Sequence, residues 1–118
     1  MRHDFSVTVE IAPDRSRATV CVSGDFDAAC TSRFDDATAD VDEGVSAFVV
    51  DLGETTIIDS AALGALIRLR ERCAERDVEF STVVARPFQL KLLRITGLGD
   101  FLGMRERGDL SDPASLDA

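Results

Sequence analysis

The stretch AFVVDLGETTIIDSAALGALIRLRERCAER, residues 47–76, carries the two patterns that decide the fold. Residues 47–52 are a nearly continuous apolar run, which is typical of a strand buried on both faces of a sheet. From Ala61 to about Arg76, apolar side chains recur every three or four positions, which predicts an amphipathic helix. The inward face of this helix is expected to consist of Ala62, Leu66, Leu69 and Cys73.

Two strands are predicted upstream of this stretch. Residues 5–11 alternate apolar and polar side chains, and the run 18–23 follows turn-forming residues at 13–16. A link this short predicts an antiparallel hairpin. Residues 24–27, Gly-Asp-Phe-Asp, are expected to end the second strand.

A first helix is predicted after this break, capped by Asp27 and closed by Gly44. Apolar residues at spacings of four, three and four give it one inward face. The members of that face are expected to be Cys30, Phe34, Ala37 and Val41.

Downstream, residues 79–85 predict another strand, and Pro87 fits the first turn of a third helix that ends at Gly97. A short edge strand at 104–107 and a last short helix after Pro113 complete the prediction. The order predicts one α/β domain with a mixed sheet of four to five strands and about four helices. The N-terminal hairpin is antiparallel and the later strands are parallel.

Composition excludes several classes of function. The 118 residues carry a net charge of −9, which opposes binding to nucleic acid or to an anionic membrane. No apolar run approaches the roughly 18 residues that span a bilayer, and the N-terminus has no signal-peptide core. We therefore expect a cytoplasmic protein. The three cysteines, Cys21, Cys30 and Cys73, are too widely spaced for a zinc site and are expected to be reduced and buried.

The chain is poorly equipped as an enzyme. Its single histidine, His3, lies near the N-terminus, and no phosphate-binding glycine loop is present, so we expect no catalysis and no cofactor. Carboxylates cluster at Asp25 with Asp27 and at Asp51 with Glu54 and Asp59. Their spacing does not fit the magnesium site of a phospho-receiver domain, and Lys91 lies in a helical pattern, so no metal is expected.

The dipeptide Asp59-Ser60 stands directly before the second helix. Either side chain can accept hydrogen bonds from the first amides of that helix, and local spacing alone explains both residues as N-caps.

Three segments together resemble one family. Residues 49–52, Val-Val-Asp-Leu, followed by residues 57–64, Ile-Ile-Asp-Ser-Ala-Ala-Leu-Gly, closely resemble the signature of the STAS domain family, and most of all its bacterial anti-sigma factor antagonists. Residues 24–27 resemble the family's Gly-acid-apolar-Asp turn. Residues 92–98, with Phe101 after them, resemble its Leu-x-x-x-Gly-Leu helix ending. The resemblance implies a single STAS domain over residues 1–118, with a core at about 5–107 and a tail at 108–118.

The resemblance also implies a switch. The family's phosphorylated serine matches Ser60, and the unphosphorylated form would bind an anti-sigma factor with serine kinase activity, freeing a sigma factor in a stress response. A serine phosphatase would reset the site, and the chain would be a monomer or weak dimer. The partner-binding surface is expected to consist of Asp25, Asp27, Asp59, Ser60, Ala61 and Leu63.

Two alternatives stay open. Ala61 and Ala62 stand where Ser and Gly are common in the family, and Gly53 stands where Ser is frequent. The first alternative is therefore a STAS adaptor that is never phosphorylated, such as a subunit of a lipid-transport ATPase complex. The second is an enzyme of phosphoryl or metal chemistry built on Asp51 and Asp59.

Overall fold

Five strands and three helices make up the part of the chain that the computed structural model describes, residues 3–39, 41 and 44–107. None of these helices is long and apolar enough to cross a bilayer. In chain order the elements are β1 Ser6–Ile11, β2 Arg17–Phe26, α1 Thr31–Ala39, β3 Ala47–Ile58, α2 Ser60–Glu75, β4 Glu79–Val84, α3 Pro87–Thr96 and β5 Met104–Glu106.

The strands form one mixed sheet in the order β1-β2-β3-β4-β5. The pair β1–β2 is antiparallel, and the other three pairs are parallel. This confirms the predicted α/β fold and the direction of the strands. The described residues contain three helices where about four were expected, and the helix predicted after Pro113 lies outside them.

The two central strands are longer than predicted. β2 runs through Gly24 to Phe26, so the prediction that residues 24–27 break the strand was wrong. β3 continues from Leu52 to Ile58, six residues past its predicted end. The reason is mutual pairing: after a first register shift Ser23 pairs with Glu54, and after a second shift Phe26 pairs with Ile58.

Gly24 holds a backbone position that other residues adopt at a cost. Its φ is +79°, and a Cβ at this position would overlap the carbonyl oxygen of Asp4. We expect Gly24→Ala to lower the free energy of unfolding by at least about 1 to 2 kcal/mol, the strain of a side chain at this φ, because the added methyl group must also displace the Asp4 backbone. Urea unfolding followed by circular dichroism measures the change.

Gly64 provides the matched control. It lies within α2. A Cβ added to Gly64 would have the end of the Arg68 side chain as its nearest neighbour, at 3.6 Å. Gly64→Ala is expected to leave stability unchanged or raise it by up to about 1 kcal/mol, since alanine favours helix. Equal losses in the two variants would contradict the role assigned to Gly24.

The core lies between the sheet and the helices. Phe26 packs at its centre, with ring centroids 5.4 Å from Phe5 and 5.1 Å from Phe34. The predicted inward face of α2 is confirmed, since all four of its residues are buried. The prediction that residues 47–52 are buried on both faces of the sheet was wrong. Phe48, Val50 and Leu52 are buried, and the residues that alternate with them are half-buried.

Helix α1 is shorter than predicted. It begins at Thr31 and ends at Ala39, so Val41 lies beyond it. Cys30 and Phe34 are buried as expected, and Ala37 is half-buried. All three cysteines are reduced; Cys30 and Cys73 are buried, and Cys21 is half-buried. Burial raises the pKa of the Cys73 thiol, which keeps it protonated.

Helix α3 is attached to the end of β3 by one buried side chain. The helix begins at Pro87, as predicted, and ends at Gly97 in the left-handed conformation. Gln89 is fully buried, and its Nε2 donates to the Leu52 carbonyl oxygen at 2.6 Å and to Thr55 Oγ1 at 2.9 Å. Its Oε1 accepts from the amides of residues 85 and 86. Gln89 thus fixes the half of β3 that leads into α2.

Candidate functional site

The start of α2 is capped by Asp59, which leaves Ser60 exposed as the first residue of the helix. Asp59 has an extended backbone, and its Oδ1 accepts from the Ala62 amide at 2.9 Å. Of the two residues that the sequence left open as caps, Asp59 therefore fills this role. The Ser60 side chain projects from a helix N-terminus, where the amide dipoles favour negative charge.

The same carboxylate joins α2 to the turn that follows β2. Asp59 Oδ2 accepts from the Ala28 amide at 3.0 Å, and the Asp59 amide donates to the Phe26 carbonyl oxygen at 3.3 Å. Asp59 is therefore held from two sides. These bonds bring the turn at residues 27–30 next to the start of α2.

Asp27 has a different local role from the one predicted. It lies four residues before the first residue of α1, so it does not cap that helix. Its Oδ1 accepts from the Ala29 amide at 3.0 Å and stabilises the turn between β2 and α1. Asp27 is partly exposed, beside Ala28 and Ala29, which are both exposed. The turn thus presents a small, mildly acidic surface.

Asp25 does not lie on the surface as predicted, because its side chain is only 3% exposed. Its Oδ1 accepts from Thr56 Oγ1 at 2.6 Å, and its Oδ2 accepts from the His3 amide at 3.1 Å. The exposed imidazole of His3 approaches Asp25 Oδ1 at 3.7 Å. Because a buried carboxylate needs such partners, Asp25 ties the N-terminal segment to the end of β3.

Leu63 also departs from the predicted surface, since it is buried and belongs to the core. Ala61 is half-buried at the edge of the site. A further exposed residue was missed: Ile57, at the end of β3, is 48% exposed three residues before Ser60. The sequence did contain a signal for this exposure, because two consecutive isoleucines in one strand cannot both face the same side of the sheet.

The remaining carboxylates are engaged elsewhere. Asp51 accepts from Arg107 Nη2 at 2.7 Å, and Glu54 accepts from Arg107 Nη1 at 2.9 Å. The hydrogen bond and charge of Arg107 lower the pKa of the Glu54 carboxyl. Within residues 3–39, 41 and 44–107, no three His, Cys, Asp or Glu side chains are grouped to hold a metal ion. Sequence reasoning missed Arg107, because its partners lie more than 50 positions away.

The two bonds of the Asp59 carboxylate predict a stability effect. We expect Asp59→Ala to lower the free energy of unfolding by about 1 to 2 kcal/mol, because an N-cap is lost together with the bond to Ala28. Chemical denaturation followed by circular dichroism measures this loss. Asp27→Ala is expected to cost less, because the bond from Asp27 to the Ala29 amide lies within a single turn and does not join two elements. The reverse order would contradict the bridging role of Asp59.

Comparison with known proteins places these features in a family. Residues 9–106 match the family model described as "Mlab, STAS domain". A STAS-domain containing protein from Pseudomonas aeruginosa is 31% identical over 92 residues, which cover 78% of this chain and 91% of that protein.

Two solved structures share the fold. The crystal structure of an anti-sigma factor antagonist from Mycobacterium paratuberculosis superposes with a TM-score of 0.70 at 23% identity, covering 86% of this chain and 85% of that one. The anti-sigma factor antagonist SpoIIAA in its unphosphorylated form gives a TM-score of 0.76 at 13% identity, covering 95% and 94%. The matched residues include both central strands, the start of α2 and α3. This chain belongs to the STAS domain family.

Proposed function

We propose that this protein is a phosphorylation-controlled anti-sigma factor antagonist. Its unmodified form binds an anti-sigma factor that has serine kinase activity, and this binding frees a sigma factor. Phosphorylation of Ser60 by the bound kinase then releases the partner. The observation that carries the proposal is the exposed position of Ser60 at the start of α2, beside a cap that Asp59 already provides.

The other hydroxyls near this site are less suitable as acceptors. Thr55 is fully buried, and its Oγ1 donates to the Leu52 carbonyl oxygen at 2.6 Å. Thr56 Oγ1 donates to the buried carboxylate of Asp25 at 2.6 Å. A kinase would have to break these contacts before phosphoryl transfer. Ser60 needs no such rearrangement, which supports it as the acceptor.

The surface around Ser60 is suited to close contact with a protein. Ala28, Ala29 and Ala61 have small side chains, so a partner's backbone can approach closely, and Ile57 adds exposed apolar area. Unmodified serine adds no charge to this surface. We infer that the partner covers the start of α2 together with residues 27–30.

Phosphorylation would change the electrostatics of this surface. The phosphate adds roughly −1.5 to −2 charges at neutral pH. The α2 N-terminus favours this charge by up to about 1 kcal/mol. The Asp59 carboxylate opposes it: at about 6 Å and an effective dielectric constant of 20, each unit pair costs roughly 2.8 kcal/mol before screening by salt.

The position of Asp59 makes this repulsion hard to avoid. Its two carboxylate oxygens accept from amides on opposite sides, at 2.9 and 3.0 Å, so turning away would break one of these bonds. The phosphate is therefore expected to point outwards, into the space that the partner occupies. Release then follows from local repulsion and steric exclusion, without a change of fold.

The direct test is phosphorylation of the purified chain. The protein is incubated with a kinase-active anti-sigma factor and ATP, and the modified position is mapped by mass spectrometry. We expect one phosphate on wild type, located on Ser60, and none on Ser60→Ala. Labelling of Ser60→Ala to the wild-type level would refute the assignment.

A second candidate function is a STAS adaptor that is never phosphorylated, such as a subunit of a lipid-transport ATPase complex. The observation that favours it is the matching family model, which is described as Mlab. Such an adaptor would use the Ser60 surface as a constant interface. Phosphate mapping after incubation with cell extract and ATP separates the two functions, because only the antagonist gains a phosphate.

Further parts of the proposal follow from the switch. The chain acts as substrate and ligand of the kinase, so it is not itself an enzyme and needs no cofactor. A serine phosphatase restores the binding form. Because its partners act on transcription, we place the protein in the cytoplasm, and we assign the switch to a stress response.

A further inference from the structure

Three of the four large apolar side chains that are exposed within the described residues lie in α3 or in the loop after it. Phe88 and Phe101 are each 37% exposed, and Ile95 is 72% exposed. Phe88 and Ile95 are seven positions apart, so they lie on the same side of α3, about 10 Å apart along its axis. This side differs from the buried face of the helix, which contains Gln89 and Leu93.

Positive groups lie beside these apolar side chains. Lys91 is exposed, three positions after Phe88 and four before Ile95, so it is a neighbour of both on the helix. The guanidinium group of Arg70 in α2 lies over the Phe101 ring, 4.3 Å from its centroid. The exposed part of α3 and its following loop is therefore both apolar and cationic.

The charge of this part of the chain is opposite to that of the rest. Residues 86–107 contain five basic and two acidic residues, a net charge of +3, whereas the whole chain carries −9. Arg86, Arg94 and Arg107 pair with carboxylates of the protein itself. Lys91 and Arg70 are thus the cations offered to a partner. At 0.1 M salt, charges more than about 10 Å away are largely screened, so a partner here meets these cations and not the net charge.

The start of α3 lies close to the Ser60 surface. Gln89 Nε2 donates to the Thr55 carbonyl oxygen at 3.2 Å. Ser60 follows Thr55 by five residues, which span at most about 17 Å. One side of a standard protein–protein interface covers about 800 Å², roughly 30 Å across. A partner that covers Ser60 can therefore also contact Phe88 and Lys91.

We propose that Phe88, Lys91 and Ile95, named here the α3 surface, form a second contact for the kinase-type anti-sigma factor. This inference rests on the proposed function. The partner segment that fits the α3 surface is amphipathic and acidic, because two apolar anchors with a cation between them complement apolar side chains flanked by carboxylates. The contact strengthens docking and takes no part in phosphoryl transfer.

Calorimetric titration of the full chain with the purified anti-sigma factor tests this contact. Ile95→Glu removes an exposed anchor and repels a carboxylate of the partner, so we expect binding to weaken about 30-fold. Ile95→Lys removes the same anchor but attracts that carboxylate, and a loss of about fivefold or less is expected. Lys91→Glu, at a second exposed position, is expected to weaken binding about tenfold.

Thr8→Glu is the matched control. It adds the same charge at an exposed position of β1, which lies at the opposite edge of the sheet from β5, and is expected to bind as wild type does. Circular dichroism spectra verify that each variant retains the fold.

The kinetics of Ser60 phosphorylation separate docking from chemistry. Ile95→Glu is expected to raise KM about tenfold and to leave kcat within about twofold of wild type, because a contact made equally before and during phosphoryl transfer affects KM alone. A lower kcat with an unchanged KM would show that the α3 surface acts in the chemical step, and would overturn the docking role.

The inference and the proposed function fail in different ways. Wild type that binds no kinase-type anti-sigma factor would overturn both. If wild type binds and both Ile95→Glu and Lys91→Glu bind equally well, the α3 contact alone is overturned. Equal weakening by Ile95→Glu and Ile95→Lys would contradict an acidic partner segment. Self-association of free wild type that Ile95→Glu abolishes, measured by sedimentation velocity, would assign the α3 surface to a second copy and overturn the proposal.

Discussion

Ser60→Asp is expected to bind the kinase-type anti-sigma factor about 100-fold more weakly than wild type does. The substitution places a carboxylate beside the Asp59 carboxylate, which the amides of Ala62 and Ala28 hold in place. In the free protein, solvent screens this pair to roughly 0.7 kcal/mol, whereas beneath a bound partner the pair costs roughly 2.8 kcal/mol at about 6 Å and an effective dielectric constant of 20. This difference and the larger side chain together give the expected loss, because about 1.4 kcal/mol corresponds to a tenfold change in affinity. Isothermal titration calorimetry with the purified partner measures the loss.

Two further variants show whether the position or the charge matters. Ser60→Ala retains a small uncharged side chain and is expected to bind within about threefold of wild type, a difference of roughly 0.6 kcal/mol. Ser32→Asp adds the same charge to an exposed serine in the first turn of α1 and is expected to bind as wild type does. Equal weakening by Ser32→Asp and Ser60→Asp would mean that net charge, and not a local block, controls the complex.

The salt dependence of the Ser60→Asp effect follows from the same argument. Asp59 is half-buried and Ser60 is exposed, so their charges are partly screened by solvent. Raising the ionic strength shortens the Debye length from about 10 Å at 0.1 M to about 3 Å at 1 M. The ratio of wild-type to variant affinity is therefore expected to shrink at high salt. The part of this affinity ratio that remains at high salt measures steric exclusion of the partner.

Local patterns were sufficient for most of the fold. The apolar spacing of residues 61–76 predicted α2 and its buried face, and Pro87 and Gly97 predicted the ends of α3. These signals act within a few residues, so they can be read from a single sequence. The direction of the strands followed from the short link between β1 and β2 and the helices between the later ones.

The extensions of β2 and β3 could not be predicted in this way. Gly24, Asp25, Gly53 and Glu54 are poor strand formers, so each segment taken alone indicates a strand that has ended. In the structure the two segments pair with each other across some 30 positions of sequence. The pairing supplies the hydrogen bonds that local propensity does not favour, and two register shifts accommodate the irregular residues.

In the candidate site, too, features set by neighbouring residues could be predicted, and features set by distant residues could not. Asp59 and Ser60 could be placed at a helix start because capping depends on neighbouring residues. The burial of Asp25 depends on Thr56 and His3, which are 31 and 22 positions away. Without those partners a buried carboxylate would be costly, so a surface position was the reasonable expectation.

Gln89→Leu is expected to lower the free energy of unfolding by about 3 kcal/mol, because it removes every side-chain hydrogen bond from Gln89 to β3 and to the amides of residues 85 and 86. The Gln89 side chain makes five hydrogen bonds. The amides of residues 85 and 86 lose this partner in the variant, whereas the Leu52 carbonyl oxygen keeps its bond from Thr55 Oγ1. Leucine has a similar volume, so packing changes little and the loss reports mainly on these bonds. The shift of the urea midpoint measures it.

Gln89→Glu separates the donor bonds from the acceptor bonds. A glutamate can still accept from the amides of residues 85 and 86, but its second oxygen would face the carbonyl oxygens of Leu52 and Thr55. This repulsion and burial raise the pKa of the new carboxyl in the folded state above the unfolded value of about 4.3.

The loss of stability in Gln89→Glu relative to wild type is therefore expected to grow as the pH rises. Below about pH 4.3 the glutamate is protonated in both states and can donate as Gln89 does, so the deficit relative to wild type is smallest. The deficit grows as the pH rises from that value through the raised pKa of the folded state. Unfolding midpoints that differ from wild type by the same amount at every pH would show that no such contact exists. In that case Gln89 would not be what fixes the end of β3 that leads to Ser60.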